Sequence, residues 1–187
     1  MRNKVYLALV HAPVYNRRHE VVATSVTNFD IHDISRTSKT YDIKNYYIVT
    51  PVDAQIELTK RIMGYWQEGI GKEYNQNRGE AFERTLVVNS IEDAVKEIEE
   101  KEGKRPKIVT TSAKIYSNSI SYRALSEKIF EDDETYLLLF GTGWGLIEEV
   151  MEMSDYILEP IRGKAVYNHL SVRAAVAIIL DRLFGER

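Results

Sequence analysis

The sequence predicts an α/β fold, a mostly parallel sheet with helices on both faces. Short apolar runs alternate with amphipathic stretches along the whole chain, the rhythm of repeated strand–helix–strand units. Val5–Val10, VYLALV, is apolar at every position, as in a strand covered on both faces. Near the C-terminus the apolar run 137–140 ends in Gly141-Thr142-Gly143-Trp144-Gly145. Parallel sheets gather ligands beyond the carboxyl ends of their strands, and a glycine turn there is a natural pocket floor.

The elements follow in order. After Val5–Val10, residues 21–26 form a second short β-branched stretch. Ile31, Ile34, Ser35 and Ser38 recur at helical spacing, predicting a helix over 31–41 capped by Asn28 or Asp30. Tyr46–Val49 is the next strand. Pro51-Val52-Asp53 opens a helix with Ile56, Ile62, Met63 and Trp66 as core positions. Residues 69–83, polar and punctuated by glycine, read as a long loop. Thr85–Val88 is a strand, and Ser90 with Asp93 marks a capping box before a helix burying Ala94, Val95 and Ile98. A strand over 107–110, a helix over 120–130 and a strand over 136–140 come next. A short helix (146–153), strand Tyr156–Leu158 and an apolar helix over 172–183, capped by Asn168 or Ser171, complete the chain.

With 187 residues, the whole of 1–187 suits one domain with a substantial core. The chain has no cysteine, which excludes disulfides, thiolate chemistry and cysteine-based zinc sites. The first residues look like a secretory signal only superficially, because the apolar run is short and no small-residue cleavage site follows. No stretch approaches the roughly 18 apolar residues of a membrane span, so a cytoplasmic protein without a membrane partner is expected. The formal net charge is −3, which argues against indiscriminate nucleic-acid binding. Residues 1–50 nevertheless carry seven Lys/Arg against four Asp/Glu, so a local basic face is compatible with an acidic whole.

The glycine turn invites comparison with a dinucleotide site, with Glu159 after the next strand as the ribose-binding acid. The spacing is GxGxG, the following helix is short, and only 28 residues follow Glu159, too few for half a Rossmann sheet. No Lys-Ser/Thr follows the glycines, which excludes a P-loop. A tight strand-to-helix turn without a ligand is the plain alternative. Two further loops add weight: the irregular Glu159-Pro160-Ile161-Arg162-Gly163, and Tyr167-Asn168-His169-Leu170-Ser171, which opens the last helix and leaves its free N–H groups facing a polar ligand edge.

Taken together, Leu139-Phe140-Gly141-Thr142-Gly143-Trp144-Gly145-Leu146, Ile157-Leu158-Glu159-Pro160-Ile161 and Asn168-His169-Leu170-Ser171-Val172 resemble the SPOUT superfamily of S-adenosylmethionine-dependent RNA methyltransferases. A weaker match lies in 28–49, where an asparagine precedes a helix bearing an arginine. The resemblance implies a C-terminal deep trefoil knot, a homodimer, S-adenosyl-L-methionine as cofactor, and a tRNA or rRNA substrate. It implies a cofactor held by Leu139, Phe140, Gly141, Thr142, Gly143 and Gly145, by Leu158, Glu159, Pro160 and Ile161, and by Tyr167, Asn168, His169, Leu170 and Ser171. Thr110, Thr111 and Ser112 would line the methionine side. Asn28 and Arg36 would act on the substrate side, Arg36 on an RNA phosphate. Many members carry a glutamate in the glycine loop where this chain has Gly143 and Trp144.

Asp30, Asp33, His32 and Glu159 are candidate bases for a nucleophile that carries a proton. His32 and His169 lack a second ligand at metal-site spacing, so no metal is expected. The basic N-terminal region and residues 72–84, with Tyr74, Asn75, Asn77 and Arg78, are expected to meet RNA by stacking and charge. A regulatory domain of the same fold that binds S-adenosylmethionine or a nucleotide without catalysis is the alternative, and a flavodoxin-like ligand-binding domain a more distant one.

Overall fold

A computed structural model describes residues 4–68 and 70–186. Its strands are β1 (Val5–Val10), β2 (Val14–Tyr15), β3 (Val21–Val22), β4 (Tyr46–Val49), β5 (Thr85–Val88), β6 (Lys107–Thr111), β7 (Ser119–Ile120), β8 (Tyr136–Gly141) and β9 (Tyr156–Leu158). Its helices are α1 (Asn28–Thr40), α2 (Asp53–Gln67), α3 (Ile70–Tyr74), α4 (Gln76–Phe82), α5 (Ile91–Glu102), α6 (Tyr122–Glu131), α7 (Glu148–Glu152) and α8 (Val172–Phe184). Seven strands make one sheet in the order β5-β4-β1-β8-β6-β9-β7. Every pairing in it is parallel, so the carboxyl ends line one edge.

All six residues of β1 are buried, because β1 lies between β4 and β8 and both of its faces are covered. Leu7 and Leu9 join Ile31 and Ile34 of α1 and Val176 and Leu180 of α8 on one face. Ala8 and Val10 meet Ala94 and Ile98 of α5 and Val150 of α7 on the other. The period of two along the strand divides the side chains between the two layers.

Local signals fix the helix starts. Thr27 caps α1 in a reciprocal capping box with Asp30, so the cap is neither Asn28 nor Asp30. Asn28 already lies inside the helix, and Asp30 serves as the partner at the third helical position. Ser90 accepts from the Asp93 N–H at 3.0 Å, and Ser171 from the Ala174 N–H at 3.3 Å, the caps of α5 and α8.

Three segments differ from the sequence reading. Residues 21–26 contribute only β3, which pairs antiparallel with β2 in a separate hairpin. Ile120 belongs to β7, and α6 begins at Tyr122 after the Ser121 cap. The expected loop 69–83 is largely helical, as α3 and α4, although its first residue, Gly69, lies outside the described residues. Gly71 and Gly79 are contact points rather than loop punctuation: a Cβ on Gly79 would stand 2.5 Å from the Trp66 carbonyl of α2. Asn75 caps α4, its side chain accepting from the Arg78 N–H at 3.2 Å. Of the core positions expected on α2, Met63 is buried and Ile62 and Trp66 pack half-buried against the same layer.

Thr27→Ala removes both the capping oxygen and its hydrogen bonds to Asp30, and should cost about 1 kcal/mol of stability in urea denaturation. Asn28→Ala, one residue on, should change it by less than about 0.5 kcal/mol. The reverse order would return the cap to Asn28.

Candidate active site

The glycine turn begins where β8 ends. Thr142 N–H donates to the Val10 carbonyl at 3.2 Å, and Gly145 N–H to the Thr142 carbonyl at 3.0 Å. The β2–β3 hairpin clasps the turn: Trp144 N–H donates to the Tyr15 carbonyl, and Tyr15 N–H to the Gly145 carbonyl, both at 2.9 Å. Gly143 and Gly145 have φ of 58° and 102°, which glycine adopts freely. A Cβ on Gly143 would stand 2.9 Å from the Tyr15 carbonyl oxygen. The close approach that requires glycine is therefore to the hairpin. With the N–H groups of Thr142, Trp144 and Gly145 bonded within the protein, the turn is not an open phosphate cradle, and its glycines do not lay those groups bare for a ligand.

The Thr142 hydroxyl instead anchors a buried polar chain. It donates to the Val10 carbonyl at 3.0 Å and meets the Thr24 hydroxyl, which meets His11 Nδ1 at 3.0 Å. The Thr24 hydroxyl also donates to the His11 carbonyl at 3.3 Å, so His11 is held at the end of its strand through both backbone and ring. Nε2 is buried and has no partner among the described residues, and His11 is 1% exposed. Burial pushes the imidazole down to about 4, against the upward pull of the Asp30 carboxylate. His11 is neutral at physiological pH.

The other loops stand beside this turn. Thr111 donates its hydroxyl to the Leu139 carbonyl at 2.9 Å, tying β6 to β8, and buried Thr110 bonds Ser154 at 3.2 Å. Ser112 accepts from the Lys114 N–H. Asn168 donates its amide to the Ala113 carbonyl at 3.2 Å, which brings the loop before α8 against the loop after β6. Leu139, Phe140, Leu158 and Pro160 are buried, so only their backbone groups can meet a ligand. Tyr167 and His169 are exposed and touch edge to face at 5.4 Å, and Leu170 is exposed as well. The Glu159 carboxylate accepts from the Tyr122 N–H at 3.0 Å through one oxygen, which joins the loop after β9 to the start of α6. Backbone groups of residues 161–170 form no backbone hydrogen bonds among the described residues. Unpaired amides and carbonyls of this kind suit the edge of an adenine ring, and in this respect the residues fit S-adenosylmethionine.

On the substrate side, Asn28 is exposed at the first turn of α1. Arg36 is exposed about 12 Å further along the helix. It faces His32, whose pKa is lowered by burial first and then by the charges of Arg78 and Arg36, with Asp33 opposing. His32 packs against Trp66 and Phe82, and Arg78 lies 4.5 Å over the Trp66 ring. Arg173, in the first turn of α8, reaches across to Asp33 at 2.7 Å and Asp30 at 3.7 Å and lies over the Phe29 ring. It joins the N-terminus of α1 to the loop that precedes α8. His11 and Arg173 escaped the sequence reading. Their signals were a polar residue directly after a buried strand and a cation two residues beyond a helix cap.

A parallel sheet with three loops at its carboxyl edge, beside a helix bearing arginine, defines an α/β domain of the ligand-binding kind. The profile of a SAM-dependent RNA methyltransferase family matches residues 4–185, and the chain belongs to that family. An uncharacterized protein of Aquifex aeolicus (strain VF5) is 41% identical over 186 residues, covering 100% of this chain and 91% of its own length. A tRNA (guanine-N(1)-)-methyltransferase of Oleidesulfovibrio alaskensis is 42% identical over 182 residues, covering 97% of this chain. The chain spans only 42% of that relative's length. The solved structure of a TrmH/SpoU tRNA modifying enzyme of A. aeolicus has a TM-score of 0.57 at 17% identity, over 98% of this chain and 74% of its own. The fold is that of the SPOUT methylases, as the three sequence segments implied.

His11 ties stability to pH. Its folded pKa lies below the ordinary 6.5, so the unfolded chain binds the proton first as pH falls. The contribution is whole above pH 6.5 and is lost between 6.5 and about 4, on the order of 3 kcal/mol at most. Denaturation midpoints should fall less steeply across that window in His11→Asn than in the wild type; parallel curves would mean that His11 titrates normally. Gly143→Ala should cost about 1–3 kcal/mol in the same measurement, through strain at positive φ and the clash with Tyr15.

Proposed function

We propose that this chain transfers a methyl group to a nucleotide of tRNA or rRNA, with the three loops as cofactor site and α1 as the substrate side. The observation that carries the reading is the meeting of the loops at one sheet edge, with the Asn168 amide on the Ala113 carbonyl. The name of the O. alaskensis relative supports tRNA, although more than half of that protein lies outside the region matched here.

When bound, S-adenosylmethionine supplies an electrophilic methyl group on a sulfonium. Backbone groups of Leu139, Gly141, Ile161, His169 and Leu170 would hold the adenine and ribose, and Thr110, Thr111 and Ser112 would line the methionine side. Holding nucleophile and methyl in line supplies much of the rate. Arg36, with Arg78 nearby, places positive charge for the RNA phosphate, and Asn28 stands at the end of α1 that Arg173 ties to the cofactor loops. Asp30 and Asp33 remain candidate bases, both already engaged by Arg173.

The same reading includes a trefoil knot, in which the segment after β9 passes through the chain between β6 and α6. The bonds from Glu159 N–H to the Ile120 carbonyl at 2.9 Å and from Asn168 to Ala113 support it. It also includes a homodimer, a cytoplasmic location and a single domain over 1–187. No described helix is long and apolar enough to cross a membrane.

Calorimetry should show S-adenosylmethionine binding, and labelled methyl should pass to bulk tRNA or rRNA. Arg36→Ala should lower transfer by at least about 100-fold while leaving cofactor affinity unchanged. Absence of binding would overturn the reading. Binding without transfer to either RNA would make the chain a regulatory domain, and loss of binding in Arg36→Ala would make that residue structural.

A further inference from the structure

The face of the sheet opposite α1 and α8 carries a cavity of about 430 Å³ behind the glycine turn. Its size falls within the roughly 300–1,000 Å³ of small-ligand sites. The rings of Tyr15, Tyr116 and Trp144 and the side chains of Glu148, Glu152 and Lys114 line it. It shares only Ser112 and Gly145 with the residues assigned to the cofactor.

The aromatic wall is preset. Tyr15 is fixed through its backbone to the turn, its hydroxyl accepts from the Glu148 N–H at 3.4 Å, and the His19 ring meets it edge-on at 5.2 Å. Trp144 stands at the wall 61% exposed, a large ring left in water. Glu148 and Glu152 are four residues apart on α7 and so share a side. Neither carboxylate has a hydrogen bond or ion pair among the described residues, whereas Asp155 nearby is tied to Lys107 and to the Ile108 N–H. Aromatic faces stack on unpaired bases. A carboxylate can only accept, and two carboxylates favour a base whose exocyclic amino group offers two N–H donors over uracil, which offers a single ring N–H. Lys114 adds one positive charge suited to the adjoining phosphate.

We propose that this cavity receives an unpaired, amino-bearing base of the RNA substrate, next to the nucleotide that is methylated. The proposal rests on the methyltransferase reading. The base is a neighbour because the cavity lies on the far side of the glycine turn from α1 and the His11 chain.

The protein has two tryptophans, so Trp66→Phe leaves Trp144 as the sole reporter. Its fluorescence is titrated with oligo(C), oligo(A) and oligo(U) RNA about 12 nucleotides long, with S-adenosylhomocysteine saturating. Oligo(C) and oligo(A) should quench it and bind at least about tenfold more tightly than oligo(U). Adding Glu148→Ala and Glu152→Ala should erase the preference with calorimetric S-adenosylmethionine affinity unchanged. Equal binding of the three RNAs, or a preference that survives the double substitution, overturns the proposal. Trp144 quenching by S-adenosylmethionine in competition with oligo(C) overturns it too, giving the cavity to the cofactor and leaving the methyltransferase reading intact. Failure of the wild type to bind S-adenosylmethionine, read before any RNA is added, removes both.

Discussion

β1 bonds to β4 on one side and β8 on the other in parallel register, with each of its side chains buried, and the rest of the molecule is arranged around that placement. Parallel pairing forces every connection to cross back over a face of the sheet, which supplies the two helical layers. It also sends the carboxyl ends of β1, β4, β6, β8 and β9 to one edge. Val10 pairs with Gly141 and with Val49, so the residue after β1, His11, emerges beside the glycine turn. The polar chain from His11 through Thr24 to Thr142 follows from that register.

The edge so formed divides into two sides. Toward α1 and α8 lie the loops 159–171, the Arg173–Asp33 pair and the buried imidazole. Toward α7 lie the hairpin, the glycine turn's outer surface and the aromatic cavity. The glycine turn is the partition, made stiff by Tyr15 on one side and Thr142 on the other. A rigid wall beside the loops is what the proposed in-line transfer needs, because small displacements of the reacting atoms are costly.

Much of this was legible in the sequence where burial and periodicity coincide. Val5–Val10 and Tyr46–Val49 were readable because fully buried strands leave unbroken apolar runs, and Thr85–Val88 and Tyr156–Leu158, only partly buried, keep short runs of β-branched and aromatic residues. The motif order 139–146, 157–161, 168–172 identified the family because it depends on chain order, which a sequence preserves. Residues 69–83 were not legible: Gly71 and Gly79 look like turn formers, and their real duty is to let helices touch the backbone of α2 at Tyr65 and Trp66. The role of Gly143 was likewise hidden, since its partner, Tyr15, lies far back in the chain. His11 and Arg173 are long-range in the same sense. Their meaning depends on Thr24 and Asp33, which no local pattern connects to them.

The proposed chemistry depends on which side of the glycine turn holds the cofactor. Amide chemical-shift mapping of the isotope-labelled protein with S-adenosylmethionine tests this most directly. Perturbations concentrated in residues 110–112, 139–143, 145, 158–161 and 167–171 are the predicted result. Perturbations confined to 15–19, 114–118, 144 and 146–157, on the cavity side, would contradict it.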